Sequence, residues 1–91
     1  MSSFIGGSPF AMVRDISEGY ILLSAPKLKR FSIQDLQRLR EELEKVTRTM
    51  RGEMPDSSDT AKLQSHQRKL MRLVSASRVV QQEMTAKHRR G

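Results

Sequence analysis

Apolar side chains at alternating steps of three and four residues constrain this chain more than any other feature. The first run consists of Leu36, Leu39, Leu43, Val46 and Met50. Such spacing is the a/d pattern with which helices pack along a shared seam. A second run with the same spacing consists of Leu63, His66, Leu70, Leu73, Ser77, Val80 and Met84. Two seams within 91 residues predict two long helices that pack against each other.

The first of these helices has a well-marked start. Ser32 can accept a hydrogen bond from the backbone of the first turn, and Asp35 stands beside the positive end of the helix dipole. Phe31 and Leu36 occupy the two positions of a hydrophobic staple. These signals predict a helix over residues 32–51.

The second helix is predicted to follow a short polar connection. Ser58 or Asp59 can serve as its N-cap, and the helix is predicted over residues 59–87. A connection this short makes consecutive helices antiparallel neighbours. Residues 32–91 are therefore predicted to form an antiparallel, coiled-coil-like helical hairpin, and the fold class is mainly α.

The chain before residue 32 carries different signals. Residues 1–9 contain a glycine pair and Pro9, and we predict a flexible arm there. Residues 10–31 combine a loosely alternating segment, a turn signal at residues 17–19 and a β-prone run at 20–24. We predict an extended or β-hairpin segment over 10–31 that ends in a short basic connector.

The supply of core side chains is limited. Apolar residues make up 36% of the chain, and only four side chains are aromatic. Two helices that each bury one stripe leave apolar surface that a second copy would cover. We therefore expect a homodimer in the form of a helical bundle.

Positive charge is concentrated in the last third of the chain. Residues 1–59 hold nine basic and nine acidic side chains, whereas residues 60–91 hold eight basic side chains and one acid, Glu83. The formal net charge of +7 therefore belongs to the second helix and its tail. Such asymmetry favours an anionic partner.

One face of the second helix combines these charges with apolar and hydrogen-bonding groups. At about 100° per residue, seven side chains lie opposite the seam. This arginine stripe consists of Arg68, Met71, Arg72, Ser75, Arg78, Val79 and Gln82. Arginine binds carboxylates and phosphates bidentately, and methionine adapts to varied surfaces. We predict that the stripe binds an acidic protein partner; the alternative is a solvated face with incidental apolar residues.

Three residues of the arginine stripe resemble a known signature. Ser75, Arg78 and Gln82 form the pattern S-x-x-R-x-x-x-Q, which is similar to the signature core of coiled-coil anti-sigma proteins that bind cyclic di-GMP. In that family an acid precedes the serine by four positions and another follows the glutamine by four. This chain has Met71 and Ala86 there, and its first helix carries no copy of the pattern. We therefore do not carry the family's function over.

A secondary basic patch is predicted from the connector and the tail. Its members are Lys27, Lys29, Arg30, Lys87, Arg89 and Arg90. Together with the arginine stripe it could grip the phosphates of a nucleic acid or of an anionic nucleotide, and these are the alternatives to an acidic protein. Base reading has little support, because the helical part carries no aromatic side chain for stacking.

Features that support catalysis are scarce. His66 lies on the seam and His88 in the tail, no pair of histidines or carboxylates has metal-ligand spacing, and no nucleophile stands beside a base. We expect no enzymatic activity, no cofactor and no metal. The chain contains no cysteine, its N-terminus does not resemble a signal peptide, and no apolar stretch could span a bilayer. The leading hypothesis is a cytoplasmic, non-enzymatic regulator or adaptor with no membrane span.

Overall fold

The structure, a computed structural model, describes residues 4, 7–53, 55, 56 and 58–90. It contains four helices: α1 (Pro9–Ser17), α2 (Ala25–Leu28), α3 (Ile33–Gly52) and α4 (Thr60–Arg90). None of the described residues lies in a β-strand. The prediction of a mainly α fold is confirmed.

Helix α3 begins at the residues that the sequence indicated. The backbone N–H of Asp35 donates to Ser32 Oγ at 3.0 Å, and the N–H of Ser32 donates to Asp35 Oδ2 at 3.3 Å. This reciprocal pair is a capping box. Phe31 and Leu36, the staple residues, are both buried. The chain therefore enters α3 at an angle that local contacts fix.

Helix α4 begins after an acidic connection. Asp59 acts as its cap, because Lys62 N–H donates to Asp59 Oδ1 at 3.1 Å and Leu63 N–H donates to the Asp59 carbonyl at 3.0 Å. Within the connection, Ser58 N–H donates to Asp56 Oδ1 at 3.0 Å. The hydrogen bonds from Ser58 lower the pKa of the Asp56 carboxyl group, since they favour its charged form. Of the two caps that the sequence allowed, the aspartate is used.

Helices α3 and α4 pack against each other in antiparallel directions. Arg40 in the first half of α3 donates from Nη1 to Gln81 Oε1 near the end of α4, at 3.2 Å. At the other end of the pair, Met50 of α3 and His66 of α4 line the same cavity. The predicted helical hairpin is therefore present, and it gives the molecule extents of 50 × 25 × 19 Å.

The predicted β-hairpin over residues 10–31 is wrong, because this region begins with a helix. Ser8 caps α1 by accepting from Ala11 N–H at 3.1 Å, and Pro9 occupies the first turn, where its missing N–H is harmless. Met12, Val13 and Ile16 then share one buried face of α1. Such spacing fits a helix and not a half-buried strand.

The turn signal at residues 17–19 ends a helix instead of joining two strands. Gly19 has φ +84°, and its N–H donates to the Ile16 carbonyl at 3.1 Å. Tyr20 N–H donates to the Asp15 carbonyl at 2.9 Å. These two bonds form a Schellman motif, which requires a residue that tolerates positive φ.

Residues 20–24 are extended, as the sequence indicated, but they pair with no strand in the described part of the chain. Leu23 is buried, whereas Tyr20 and Leu22 are 80% and 82% exposed. The basic connector includes α2, whose Leu28 is fully buried. Residues 20–28 are therefore anchored on the hairpin by the buried Leu23 and Leu28.

The predicted flexible arm over residues 1–9 falls largely outside the described residues. Phe4, which is described, corrects the prediction at its own position. It is only 7% exposed, and its ring packs edge-on against that of Phe31 with 5.4 Å between the centroids. The chain is thus docked on the core at Phe4, and α1 begins at Pro9.

The core lies where the N-terminal region meets the first half of α3 and the second half of α4. Of the predicted seam, Leu36, Leu39, Leu43, Leu73 and Val80 are fully buried, Met50, Val46 and Met84 are partly buried against them, and Leu63 and Leu70 are intermediate. Helix α4 also buries Ala76 and Glu83, which the seam pattern did not include. Because α1 contacts both long helices, α4 turns this additional side inward.

The same packing bears on the predicted homodimer. The expectation was that apolar surface of the hairpin would require a second copy. Within one chain, α1 and Leu23, Leu28 and Phe31 already cover the leucines of the seam. The described residues therefore close a hydrophobic core without a partner.

Candidate functional site

The structure separates the arginine stripe into four residues that face solvent and three that lie beside the N-terminal region. Arg68, Met71, Arg78 and Gln82 face solvent, and Met71 is 69% exposed. We call these four residues the arginine face. The guanidinium groups of Arg68 and Arg78 make no hydrogen bond and no ion pair with any described residue. Two charges therefore flank an exposed apolar side chain.

Arg72 has a different environment from the other stripe residues. Its Nη1 donates to the Ser17 carbonyl, at the end of α1, at 3.0 Å. Its Cζ lies 3.0 Å from the position that a Cβ atom would occupy on Gly19. Arg72 therefore stabilises the last turn of α1 and leaves little room for any side chain at position 19. The sequence pattern placed it with the partner-binding residues, whereas the geometry gives it a contact within the chain.

Ser75 and Val79 of the stripe face the N-terminal region as well. They line a cavity of about 230 Å³, whose other walls come from Ile16, Ile21, Leu22, Leu23, Arg72 and Ala76. Val79 is partly buried against the core. The extended residues 20–24 thus partly cover the middle of the stripe that was predicted to be open.

An ion pair adds to the contact between α1 and α4. Lys69 Nζ lies 3.1 Å from Glu18 Oε1, one residue past the end of α1. A single carboxylate therefore meets a cation of α4, next to the Arg72 contact. No local signal in the sequence could pair these residues, because the pairing depends on where α1 docks.

The opposite side of the helix pair forms a groove that the sequence analysis did not single out. It has a volume of about 420 Å³ and is lined by Glu44, Thr47, Arg48, Arg51, Val74 and Ser77. We call this the basic groove. Glu44 lies 3.7 Å from Arg40 Nε, whereas Arg48 and Arg51 have no ion pair or side-chain hydrogen bond with any described residue. The two arginines of the groove are therefore uncompensated.

Thr47 at the floor of the basic groove has an unsatisfied hydroxyl group. It is 9% exposed, and its Oγ1 has no hydrogen-bond partner among the described residues. By contrast, Thr49 and Thr85 each donate to the carbonyl four residues earlier, at 3.0 Å. A buried hydroxyl without a partner is unfavourable by roughly 1–3 kcal/mol. This hydroxyl oxygen therefore lies beneath the surface of the groove, and the described residues leave it without a partner.

The secondary basic patch is partly assembled by the fold. Lys87 Nζ donates to the Lys29 carbonyl at 3.0 Å, so the tail and the connector meet at one end of the hairpin. Lys27 Nζ donates to the Leu22 carbonyl at 2.7 Å. Arg30 and Arg89 are exposed, whereas the side chain of Arg90 lies outside the described part of the structure. Two of the ammonium groups therefore also hold the N-terminal region in place.

His66, which the sequence places on the seam, lies at the far end of the helix pair. It lines a cavity of about 360 Å³ with Met50, Glu53, Pro55, Lys62, Ser65 and Lys69, and its Nε2 has no described hydrogen-bond partner. Among the residues that the structure describes, no group of three or more histidines and acids could hold a metal ion. No helix in the described ranges is both long and apolar enough to cross a membrane.

Comparison of the chain with protein-family models, with curated proteins and with solved structures found no match.

Proposed function

We propose that this protein is a non-enzymatic adaptor or regulator that binds an acidic protein partner through the arginine face of α4. The supporting observation is the pair of uncompensated guanidinium groups, Arg68 and Arg78, on either side of the exposed Met71. Arginine and methionine are enriched in protein interfaces, where arginine binds carboxylates through two parallel hydrogen bonds. Covering Met71 would add apolar burial to this charge pairing.

The same features favour a protein over a nucleic acid. Met71 offers an apolar contact that a phosphate backbone cannot match, and the helical part of the chain has no aromatic side chain for stacking on bases. Phosphate binding through Arg68, Arg78 and the basic patch remains the second candidate, supported by the net charge of +7. An anionic nucleotide bound between the helices is the third. The proposal places the protein in the cytoplasm, in keeping with the absence of cysteine.

Affinity capture with two charge-reversal variants tests the proposal. Arg68→Glu with Arg78→Glu changes the arginine face, and Arg38→Glu with Lys45→Glu makes the same change of charge on exposed positions of α3. We expect the wild-type chain and the α3 variant to capture the same acidic proteins from the cells that naturally produce this protein. The α4 variant should no longer capture them. Equal capture by all three chains would reject the arginine face as the binding surface.

Fluorescence anisotropy separates the second candidate from the first. A labelled DNA duplex and a labelled single strand are titrated with the protein at low and high salt. We expect no saturable binding at micromolar protein. Micromolar binding that weakens steeply with salt would favour phosphate recognition. A rise in melting temperature with an added nucleotide would favour the third candidate.

Self-association is a separate part of the proposal. Phe10, Tyr20 and Leu22 of the N-terminal region are large apolar side chains that are 60–82% exposed, and a second copy could cover them. Light scattering at micromolar concentration is expected to give the mass of two chains. The mass of one chain would reject the homodimer and leave the arginine face unaffected.

A further inference from the structure

The two long helices have a groove on each side, and only one of these grooves is filled. Helix α1 contacts both α3 and α4, and with residues 20–24 it lies against the side of α4 that carries Val79, where Ser75 stays exposed. The basic groove uses Val74 and Ser77, which lie on the other flank of α4. Two packed antiparallel helices commonly accept a third helix along such a groove. In this chain, α1 packs in this way on the side of the helix pair opposite the basic groove.

We propose that the basic groove binds an amphipathic helix of another protein that carries carboxylates on its polar flanks. This inference rests on the proposed function. It adds that the acidic partner binds as a helix and that it contacts the basic groove as well as the arginine face. An acidic helix matches the groove because two arginines, Arg48 and Arg51, line it against one carboxylate, Glu44, which is paired with Arg40. A second copy of this chain fits less well, since a two-fold axis would bring the same arginines together.

The apolar and polar groups of the groove suit the middle of such a helix. Val74 gives a small apolar contact, and the Ser77 hydroxyl can hydrogen-bond to a polar side chain of the visitor. Val74 stands four residues before Arg78 and three after Met71, so the groove continues directly into the arginine face. One bound helix could therefore contact both surfaces.

NMR titration of the full-length chain with a synthetic peptide tests the inference. The probe is an amphipathic helix with leucine and alanine on one face and glutamate on both flanks, and the control peptide replaces each glutamate with lysine. We expect the acidic peptide to shift the backbone amide signals of Thr47, Val74 and Ser77. The signals of Ile21 and Leu23 beside the filled groove should move little, and the lysine peptide should not bind.

Two double variants show which residues contribute to the affinity for the peptide. Arg48→Glu with Arg51→Glu should weaken the peptide at least about tenfold, because two contacts to carboxylates become repulsions. Arg38→Glu with Lys45→Glu, on the outer side of α3, should change the affinity less than about twofold. Equal losses in both variants, or shifts confined to Ile21 and Leu23, would overturn the inference. Absence of saturable binding by the acidic peptide would overturn it as well.

The failure of this inference is distinguishable from the failure of the proposed function. If cellular capture is lost with Arg68→Glu and Arg78→Glu but the groove variant keeps the peptide, the arginine face stands and the groove is excluded. If a DNA duplex shifts the groove signals more strongly than the acidic peptide, the groove binds phosphates and the inference is wrong. If light scattering shows that Arg48→Glu with Arg51→Glu breaks a dimer, the groove is a self-association surface instead.

Discussion

At the scale of single residues, side chains of one type have different roles according to what they contact. Arg72 and Arg78 are both exposed arginines on α4, yet Arg72 donates to the end of α1 and Arg78 meets no described partner. The sequence indicates that both lie away from the seam. It cannot assign Arg72 to the fold, because that contact depends on a helix more than fifty residues earlier in the chain.

Replacing Arg72 with alanine should destabilise the protein. The variant loses the hydrogen bond to the Ser17 carbonyl and the packing over Gly19, and we expect the free energy of unfolding to fall by about 1–2 kcal/mol. Urea denaturation followed by circular dichroism measures the change. Arg78→Ala is the matched control and should stay within about 0.5 kcal/mol of the wild type. Equal effects of the two variants would contradict the role given to Arg72.

Replacing Glu83 with leucine should stabilise the protein. Glu83 is 4% exposed, and its Oε1 has no hydrogen-bond partner among the described residues. Lys87, four residues later, donates to the Lys29 carbonyl. Replacing this unpartnered buried polar group with an apolar one should raise the free energy of unfolding by about 1–3 kcal/mol. Differential scanning calorimetry of this variant, with the exposed Glu41→Leu as control, checks the prediction; a lower melting temperature for Glu83→Leu would refute it.

At the scale of elements, the sequence predicts the long helices well and the N-terminal region poorly. The capping box and staple at the start of α3 are local, so they are readable from neighbouring residues. The loose alternation of residues 10–16 favours a strand, although Ser8 and Pro9 form a helix start and Met12, Val13 and Ile16 fit a helical face. The run is short enough for both periods to match, and the docking on α3 and α4 decides between them.

Docking of α1 can be tested with two variants of the same helix. Met12 is fully buried and Phe10 is 60% exposed. Met12→Ala should lower the free energy of unfolding by about 2–4 kcal/mol, because it leaves a cavity in the core. Phe10→Ala, measured at a protein concentration low enough to keep the chain monomeric, should lower it by less than about 1 kcal/mol. If thermal unfolding shows the same loss for both variants, α1 does not pack as described.

The basic groove illustrates a limit of reading one helix at a time. In the sequence alone, Arg48 and Arg51 are charged side chains outside the seam of the first helix. Their significance comes from Val74 and Ser77 of α4, which the hairpin brings to the same groove. The helical period shows which residues share a face of one helix. The groove also depends on how the two helices are aligned along each other, which the period does not show.

At the scale of the whole molecule, the chain carries seven more basic than acidic side chains. Only four ion pairs of 4.0 Å or less are found among the described residues, so most of the basic side chains there have no carboxylate within that distance. Added salt screens the repulsion between like charges. The fold should therefore tolerate, and even require, a moderate ionic strength.

The melting temperature should rise as sodium chloride is increased from roughly 20 to 300 mM, over which the screening length falls severalfold. Calorimetry at constant pH measures this. Arg48→Glu with Arg51→Glu brings the formal net charge from +7 to +3 and should reduce the salt effect. A melting temperature that falls with salt in the wild type would show that attractive ion pairs outweigh the repulsion.

The close approach of Arg72 to Gly19 also bears on the history of this chain. Gly19 has φ +84°, and the guanidinium carbon of Arg72 lies 3.0 Å from the position that a Cβ atom would occupy. The backbone conformation and this neighbour therefore both restrict which residue can stand at position 19. A Cβ atom at position 19 would require the guanidinium group, the end of a flexible side chain, to shift by only a few tenths of an ångström, so the positive φ is the stronger constraint. Descendants should therefore keep glycine at 19 or replace it with asparagine, which also tolerates the left-handed region.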